Sequence, residues 1–263
     1  MRWITLALLF LAFVTASPAT SSDNIIDAPF LKQNFETYGV PPEEGTFVLY
    51  QPSNNQYTVY NLKRARERFT PASTFKIPHS LIGLETGAIS SIDEVFPYDG
   101  KPRELPIWEK TMDLREAMKV SCVPIFQTIA RRIGKKRMKE WIDRLHYGNE
   151  DISGPIDGFW LGSSLRISAM EQAKFLARLA EGKLPVSSKT VADVKELLVL
   201  EKMPEYTLYG KTGYHPPVGW WVGWLEKDGQ IYTVAVNIRM TDLKDAPKRL
   251  AIAKACMQQL GIL

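Results

Sequence analysis

The chain has 263 residues, of which 45% are hydrophobic and 24% are charged. These proportions are typical of a globular protein with one substantial core, and no repeat or low-complexity tract interrupts them. The formal net charge of +4 is too mild to indicate a nucleic-acid partner. The short basic runs at residues 63–68 and 131–137 are therefore predicted to coat solvated surface.

The first residues have the pattern of a secretory signal peptide. Arg2 supplies the positive start, an apolar stretch runs to Val14, and small residues follow. The apolar stretch is too short for a membrane span, so we expect a cleaved leader over residues 1–19, cut after Ala16 or after Ala19. An uncleaved anchor is the less favoured alternative. The mature protein would be periplasmic or secreted, without a stable membrane anchor.

The N-terminal part is predicted to start with a helix over residues 23–38, followed by a β-hairpin. The runs 46–50 and 57–60 are rich in β-branched and aromatic residues, and the Pro-Ser-Asn-Asn segment between them has turn chemistry. A helix carrying Ser73 comes next. Pro78 lies within its pattern and is expected to bend the helix or to replace a turn.

Helices dominate the middle of the chain. Capping signals and apolar periodicity predict five of them in succession. Their ranges are 113–120, 124–133, 135–145, 168–181 and 188–200. A glycine-rich loop over residues 147–165 separates the third of these helices from the fourth. A loop of this length in a compact domain is often functional.

The C-terminal part returns to strands. Three runs have strand composition, and turn chemistry at residues 227–230 joins the last two into a hairpin. The runs are 207–212, 220–225 and 231–238. A helix over residues 245–260 closes the chain. We therefore predict an α+β fold in one domain, residues 20–263, with a central antiparallel sheet of about five strands, flanking helices and a helical lobe over roughly residues 73–205.

Cysteine and histidine positions limit the possible cross-links and metal sites. An exported protein can form disulfides, so pairing of Cys122 with Cys256 is open. Both lie in apolar helical patterns, and we favour two unpaired, buried thiols. The three histidines, His79, His146 and His215, lack the spacing of metal ligands, so no metal site is predicted.

A serine and a lysine three residues apart are the first candidate catalytic residues. In a helix, Ser73 and Lys76 lie on the same face. A free serine hydroxyl is a poor nucleophile and needs an adjacent base, which the lysine can provide. The apolar neighbours Phe75 and Ile77 indicate that the lysine is buried. Taken alone, however, the motif is better explained by an N-capping serine and a surface lysine.

Further motifs follow in an informative order. Ser121 and Val123 flank a cysteine between two predicted helices, Tyr-Gly-Asn opens the long loop, and Lys211 begins a Lys-Thr-Gly sequence at the end of a strand. Ser-x-x-Lys, Ser-Asp-Asn and Lys-Thr-Gly form the signature of class A β-lactamases and penicillin-binding proteins. Here the middle motif ends in Val123. Together with Trp160 and a tryptophan-rich run at 220–224, the motifs resemble the class D, oxacillinase-type serine β-lactamases over nearly the whole chain.

The resemblance implies hydrolysis of β-lactam antibiotics, with oxacillin-type penicillins among them, and hence antibiotic resistance. Ser73 would be the nucleophile that becomes acylated. Lys76 would carry a carbamate formed from carbon dioxide and act as general base, with no other cofactor. Burial favours the neutral amine, and only the neutral amine attacks carbon dioxide. Val123 and the indole N–H of Trp160 would support the carbamate. An unmodified Lys76 or an acidic residue such as Glu150 is the alternative base.

The remaining site residues implied by the resemblance handle the leaving group and the substrate. Ser121 would relay a proton to the leaving nitrogen, with Lys211 beside it. The groups implied to bind substrate are Thr212, Gly213, Tyr214 and Arg249. Backbone N–H groups of Ser73 and Tyr214 would form the oxyanion hole. The alternative for Arg249 is an ordinary surface arginine.

Two other functions are compatible with the same motifs. A penicillin-sensing receptor domain would stay acylated, but such sensors carry a large membrane portion, and only a leader is expected here. A cell-wall transpeptidase or carboxypeptidase usually has asparagine at the end of the middle motif. Steady turnover of a small β-lactam separates an enzyme from both. The sequence leaves open carbapenem hydrolysis and whether the protein is a monomer or a homodimer.

Overall fold

The computed structural model describes residues 24–263, so the leader predicted over residues 1–19 lies outside the described part of the chain. The strands are β1 Asn24–Asp27, β2 Gly45–Gln51, β3 Gln56–Tyr60, β4 Val95–Phe96, β5 Met112–Asp113, β6 Val199–Lys202, β7 Tyr206–His215, β8 Val218–Lys227 and β9 Gln230–Arg239. The helices are α1 Lys32–Thr37, α2 Leu62–Arg66, α3 Lys76–Glu85, α4 Leu114–Lys119, α5 Val123–Ile133, α6 Lys135–Leu145, α7 Ala169–Ala180, α8 Ser188–Leu198 and α9 Ala246–Gln259.

Seven of the strands form one sheet, in the order β1-β3-β2-β9-β8-β7-β6. The α+β prediction is confirmed, but the sheet is larger than the five strands expected. The additional strands, β1 and β6, lie at its two edges. All neighbouring pairs are antiparallel except β1 and β3, which are parallel. Strands β4 and β5 form a separate two-stranded sheet.

Both edge strands lie where the sequence predicted helix. The helix predicted over residues 23–38 is wrong at its start, because Asn24–Asp27 pairs with β3 and only Lys32–Thr37 is α-helical. Pro29 opens a 3-10 turn, and a residue that precedes proline disfavours the helical conformation. The helix predicted over residues 188–200 ends at Leu198, since the chain then pairs with β7. These strands depend on partners distant in sequence, which local periodicity does not reveal.

Helices cover both faces of the sheet. Helix α7 packs against β2, β8 and β9 on one face, whereas α9 packs against β8 and β9 on the other, with α1 beside it. The two-residue period of a strand divides the core accordingly. In β9, Ala235 belongs to the first face, and Val234 and Val236 belong to the second. The capping box at Ser168 and Glu171 begins α7 as predicted.

A group of helices lies beside the sheet and holds α3 at its centre. Helix α3 contacts α5, α6 and α8, and the 3-10 turn Ala72–Phe75 before it contacts β7. Pro78 lies in the first turn of α3, where its missing N–H removes no intrahelical bond, so it does not bend the helix interior. As predicted, residues 147–165 contain no helix or strand. Within residues 24–263 no helix is long and apolar enough to cross a membrane.

The two cysteines lie in separate cores. Cys122 is buried in the core that faces the helical group, and Cys256 is buried in the core on the opposite face of the sheet. Both thiols are free. The prediction of two unpaired, buried cysteines is therefore confirmed.

Candidate active site

The nucleophile candidate lies on a constrained turn. Ser73 belongs to the 3-10 turn Ala72–Phe75, and α3 begins at Lys76. Ala72 has a φ of 49°, in the left-handed region that residues other than glycine rarely adopt. Its N–H donates to the carbonyl oxygen of Trp160 at 3.0 Å. Such conformations persist where the surrounding structure imposes them, and they are concentrated at functional sites.

The first serine–lysine pair joins Ser73 to Lys76. The lysine Nζ donates to the serine Oγ at 2.8 Å and lies 5.1 Å from the centroid of the Phe126 ring. Lys76 is 0% exposed. Burial lowers the pKa of Lys76 to about 7, an effect that the nearby Cys122 opposes. A substantial fraction of this lysine is therefore neutral near pH 7, and a neutral amine can accept a proton or attack an electrophile.

Trp160 presents an unused hydrogen-bond donor in the same part of the core. Its ring stacks on Phe75 with centroids 6.0 Å apart. Its buried Nε1 has no hydrogen-bond partner among the described residues. An indole nitrogen can only donate, and a buried donor without an acceptor costs free energy. The donor therefore fits an acceptor such as a carbamate oxygen on Lys76.

His79 is a buried member of this pocket that the motif analysis did not assign to the site. Its ring meets Trp160 edge to face at 4.4 Å, and neither ring nitrogen has a partner among residues 24–263. Burial, together with repulsion from the Lys76 charge, holds the pKa of His79 well below its usual range. The imidazole is therefore neutral. The sequence does contain a signal that places His79 in the site, because His79 follows Lys76 at the same three-residue spacing that separates Lys76 from Ser73.

The second serine–lysine pair joins Ser121 to Lys211. The Lys211 Nζ hydrogen-bonds the Ser121 Oγ and donates to the Thr212 carbonyl oxygen at 3.0 Å. Ser121 lies between α4 and α5 with a φ of 55°, another left-handed residue that is not glycine. Burial holds the pKa of Lys211 well below its usual range, and repulsion from Lys76 and Arg249 adds to this effect. The two pairs are therefore electrostatically coupled.

Gly213 lets strand β7 approach the turn that carries Ser73. A Cβ atom at this position would lie 2.9 Å from the Pro71 carbonyl oxygen and 3.0 Å from the methyl group of Thr74. Real Cβ atoms do not tolerate such contacts with backbone, so a side chain here would push the strand away. The close approach brings Tyr214, next along β7, towards the Ser73 turn. The Tyr214 hydroxyl donates to the Thr241 carbonyl oxygen at 3.1 Å.

Arg249 is buried, so the surface-arginine alternative is wrong. Arg249 lies on α9, and only 6% of its surface is exposed. Its Nη1 donates to the Gly213 carbonyl oxygen at 2.6 Å, and its Nε donates to the Ala246 carbonyl oxygen at 2.9 Å. Burial lowers the pKa of Arg249 to about 10, while attraction to Tyr214 opposes this shift. The guanidinium thus ties α9 to the stretch of β7 that carries Lys211 and Thr212.

The Tyr-Gly-Asn motif closes the loop that carries Trp160. The Asn149 side chain donates to the Ser164 carbonyl oxygen at 3.0 Å and accepts from the Arg166 N–H at 2.9 Å. Gly148 has a φ of +59°, and a Cβ atom there would lie 2.1 Å from the Arg166 carbonyl oxygen. These contacts hold the ends of the loop together and so position Trp160.

The remaining candidate residues occupy less central positions. Val123 begins α5 and is partly buried against the main core. Glu150 lies on the long loop, with its carboxylate 3.3 Å from the His146 Nδ1. Within residues 24–263 no group of three or more His, Cys, Asp or Glu side chains is arranged to hold a metal ion.

Comparison with known proteins shows the family of the chain. Residues 45–258 match the transpeptidase family, described as the penicillin-binding protein transpeptidase domain. The chain is 42% identical to β-lactamase OXA-5 of Pseudomonas aeruginosa, with 97% of each chain covered. It is 44% identical to β-lactamase OXA-10 of the same organism, with 83% of this chain and 85% of that protein covered.

A solved structure gives the same result. The crystal structure of FUS-1 (OXA-85), a class D β-lactamase from Fusobacterium nucleatum subsp. polymorphum, superposes with a TM-score of 0.86 at 43% sequence identity. The match covers 90% of this chain and 100% of that chain. The chain therefore belongs to the class D β-lactamases, within the penicillin-binding protein transpeptidase family.

Proposed function

We propose that this protein hydrolyses penicillins, those of the oxacillin type included, through an acyl-enzyme on Ser73 with a carbamate on Lys76 as general base. As a class D β-lactamase, it is a hydrolase of β-lactams. Hydrolysis of such antibiotics confers resistance to them. The mechanism rests on one observation above all. Lys76 is buried with its pKa lowered to about 7, and the Trp160 ring, which stacks on the neighbouring Phe75, has an indole N–H without a partner among the described residues.

Acylation begins at the first serine–lysine pair. The Ser73 hydroxyl gives up its proton to the carbamate proposed on Lys76, whose Nζ lies 2.8 Å from the serine Oγ. The serine Oγ then attacks the lactam carbonyl carbon, and the bond between this carbon and the ring nitrogen breaks. Backbone N–H groups of Ser73 and Tyr214 stabilise the negative charge on the carbonyl oxygen. Losing one such donor typically costs about a hundredfold to a thousandfold in rate.

The second serine–lysine pair protonates the leaving nitrogen. The Ser121 hydroxyl donates its proton to the ring nitrogen as the carbon–nitrogen bond breaks, and Lys211 returns a proton to the Ser121 oxygen through their hydrogen bond. Burial lowers the pKa of Lys211, so its ammonium form gives up a proton more easily than that of an exposed lysine. Thr212, Gly213 and Arg249 hold the substrate carboxylate at the end of β7.

Residues of this chain suit a carbamate at Lys76. The neutral amine can attack carbon dioxide, Trp160 can donate a hydrogen bond to the product, and Val123 adds apolar surroundings. When formed, the carbamate supplies a buried anionic base that can take a proton from water during deacylation. Glu150 is a weaker candidate for the base, because its carboxylate pairs with His146 on the long loop.

Export is part of the proposal. The leader pattern in residues 1–19 supports a mature protein, residues 20–263, in the periplasm or outside the cell. A β-lactamase placed there would meet the antibiotic before it reaches its targets. Sequencing the N-terminus of the exported protein tests this, and a retained Met1 would contradict it.

The test of the function is a time course with excess penicillin. We expect linear hydrolysis over many equivalents per enzyme, with an acyl adduct on Ser73 detectable by rapid-quench mass spectrometry. A burst of one equivalent followed by no further product would overturn the proposal. That result would instead favour a penicillin sensor or a cell-wall peptidase that stays acylated.

A further inference from the structure

A second pocket, separate from the catalytic pairs, collects positive charge. We name it the arginine pocket. It has a volume of about 330 Å³, and its charged or titratable lining residues are Arg64, Arg68, Arg166, Arg239 and His215. These residues come from the segment around α2, the position just after the long loop, the end of β7 and the end of β9. Among residues 24–263, no aspartate or glutamate lines the pocket.

Two of these arginines are neutralised by carboxylates that lie outside the lining. The Arg68 Nε donates to both carboxylate oxygens of Glu171, at 3.0 and 3.1 Å. The Arg239 Nη1 forms a salt bridge with Glu44 at 2.8 Å. These pairs orient the two guanidinium groups, and each leaves other N–H donors available for a ligand.

The other two arginines lack such partners. Neither Arg64 nor Arg166 forms a salt bridge with any residue in the described part of the chain. The Arg64 guanidinium lies 4.6 Å from the centroid of the Phe69 ring, and its buried Nε has no acceptor among residues 24–263. With the described residues, the Arg166 side chain makes only long contacts, to the carbonyl oxygens of Leu165 at 3.3 Å and Gly162 at 3.5 Å.

The electrostatic environment of Arg64 also indicates a site for an anion. Burial lowers the pKa of Arg64, and repulsion from Arg239 adds to that effect, although Glu67 and Glu44 oppose both. Bringing cationic side chains together in a half-buried pocket costs free energy unless an anion compensates for it. The pocket therefore has donors, positive charge and space, all suited to an anionic ligand.

We propose that the arginine pocket binds a small tetrahedral oxyanion of the phosphate or sulfate class. The planar fork of a guanidinium matches the oxygen spacing of such anions, and bidentate contacts make these hydrogen bonds strong. The volume is sufficient for a phosphate with a short organic ester. None of Ser73, Lys76, Ser121 and Lys211 lines this pocket, so the anion would not occupy the catalytic position.

The pocket nevertheless adjoins the loop that carries Trp160. The Thr70 hydroxyl lines it, accepts from the Gly162 N–H at 2.9 Å and donates to the Trp160 carbonyl oxygen at 2.9 Å. Gly162 also packs tightly on His215, since a Cβ atom there would lie 2.2 Å from the His215 Nε2. A bound anion would thus lie against the outer side of this loop.

Titration calorimetry with inorganic phosphate tests the proposal, with sodium chloride at matched ionic strength as reference. The variants Arg64→Gln and Arg166→Gln each remove one donor fork without adding charge of the opposite sign. The matched control is Arg144→Gln. Arg144 is an exposed arginine on α6, and its guanidinium lies 5.0 Å from the centroid of the Trp141 ring, away from the pocket. We expect saturable phosphate binding that each pocket variant weakens about tenfold or more and that the control leaves unchanged.

Two further arms make the outcomes decisive. The first arm compares phenyl phosphate with inorganic phosphate. Tighter binding of phenyl phosphate identifies a phosphate ester as the ligand, and tighter binding of inorganic phosphate identifies the free ion. Either result supports the site. Equal phosphate binding by wild type and both pocket variants overturns it. Binding that is lost in Arg249→Gln but retained in Arg64→Gln also overturns it, because the anion would then occupy the catalytic cleft. Circular dichroism confirms the fold of each variant, and either pocket variant alone is sufficient for the test.

Discussion

The two serine–lysine pairs lie close enough for their lysines to repel each other, and their surroundings differ. Lys76 lies 5.1 Å from the centroid of the Phe126 ring and close to His79 and Cys122, and among residues 24–263 its only hydrogen-bond acceptor is the Ser73 hydroxyl. Lys211 hydrogen-bonds both the Ser121 hydroxyl and a backbone carbonyl, and it is repelled by two cations. The first pair has apolar walls, whereas the second lies among polar and charged groups.

The two environments suit the two lysines to different proton chemistry. Apolar walls favour the neutral amine at Lys76, the form that reacts with carbon dioxide, and Trp160 offers a donor for the resulting anion. Lys211 has backbone and hydroxyl partners for its protons, which suits a lysine that passes a proton to Ser121 and regains it. We therefore assign base chemistry to the first pair and leaving-group protonation to the second.

Removing the nucleophile gives the largest expected effect. Ser73→Ala should abolish covalent labelling by penicillin, because Ser73 is the proposed nucleophile, and the fold should persist. Intact-protein mass spectrometry after incubation with penicillin measures the adduct, with Ser121→Ala as the control that keeps the nucleophile. An acyl adduct on the Ser73→Ala protein would show that the first pair does not supply the nucleophile.

Removing the indole donor tests the base assigned to the first pair. Trp160→Phe keeps an aromatic ring in the core but deletes the N–H, so the carbamate should dissociate more readily and deacylation should slow by roughly a hundredfold to ten-thousandfold. Single-turnover kinetics should show an accumulated acyl-enzyme, and added bicarbonate should restore part of the rate. Trp160→Ala should have the same phenotype and also lower stability by about 3–5 kcal/mol, because it leaves a cavity.

Removing the relay hydroxyl tests the second pair. Ser121→Ala should lower turnover by about a hundredfold at saturating substrate, with little change in melting temperature. The control Ser121→Gly also lacks the hydroxyl but accepts the φ of 55° at this position without strain. Both variants should be slow, and the glycine variant should be the more stable. Hydrolysis at the wild-type rate in either would make Ser121 a purely structural residue.

The smallest expected effect is on the pH dependence of stability. The folded pKa of Lys76 is about 7, below the unfolded value of about 10.4. Between these values the unfolded chain binds more protons, so the free energy of unfolding should rise with pH across this window. Lys76→Met should flatten this rise in carbon-dioxide-free buffer, when urea unfolding is measured at several pH values. Lys211 has a shift in the same direction, so an unchanged slope in Lys76→Met would assign the dependence to the second pair.

Local signals predicted most of the helices and the central strands. The capping box at Ser168 and the turn chemistry before β9 act within a few residues, so periodicity and composition located α7 and the β8–β9 hairpin. Strands β1 and β6 were missed, because each becomes a strand through a partner distant in the chain.

Contacts between residues distant in the chain also limited how much of the site the sequence predicted. Motif order picked out both serine–lysine pairs, since their residue types carry the chemistry. Three features could not be read from the sequence. They are the contact between Arg249 and the Gly213 carbonyl, the absence of a partner for the Trp160 Nε1 among residues 24–263, and the convergence of four arginines on one pocket. Each arises from side chains that folding brings together from separate segments.

Carbon-13 NMR of the enzyme with labelled bicarbonate, run alongside activity measurements, tests directly whether Lys76 carries a carbamate that acts as the base. We predict a carbamate resonance that persists in Ser73→Ala, weakens in Trp160→Phe and is absent in Lys76→Met. Because protonation of Lys76 prevents capture of carbon dioxide, signal and activity should fall together as pH decreases below about 7 in degassed buffer. Both should return when bicarbonate is added at neutral pH. A degassed enzyme that keeps full activity and shows no carbamate signal would contradict the account.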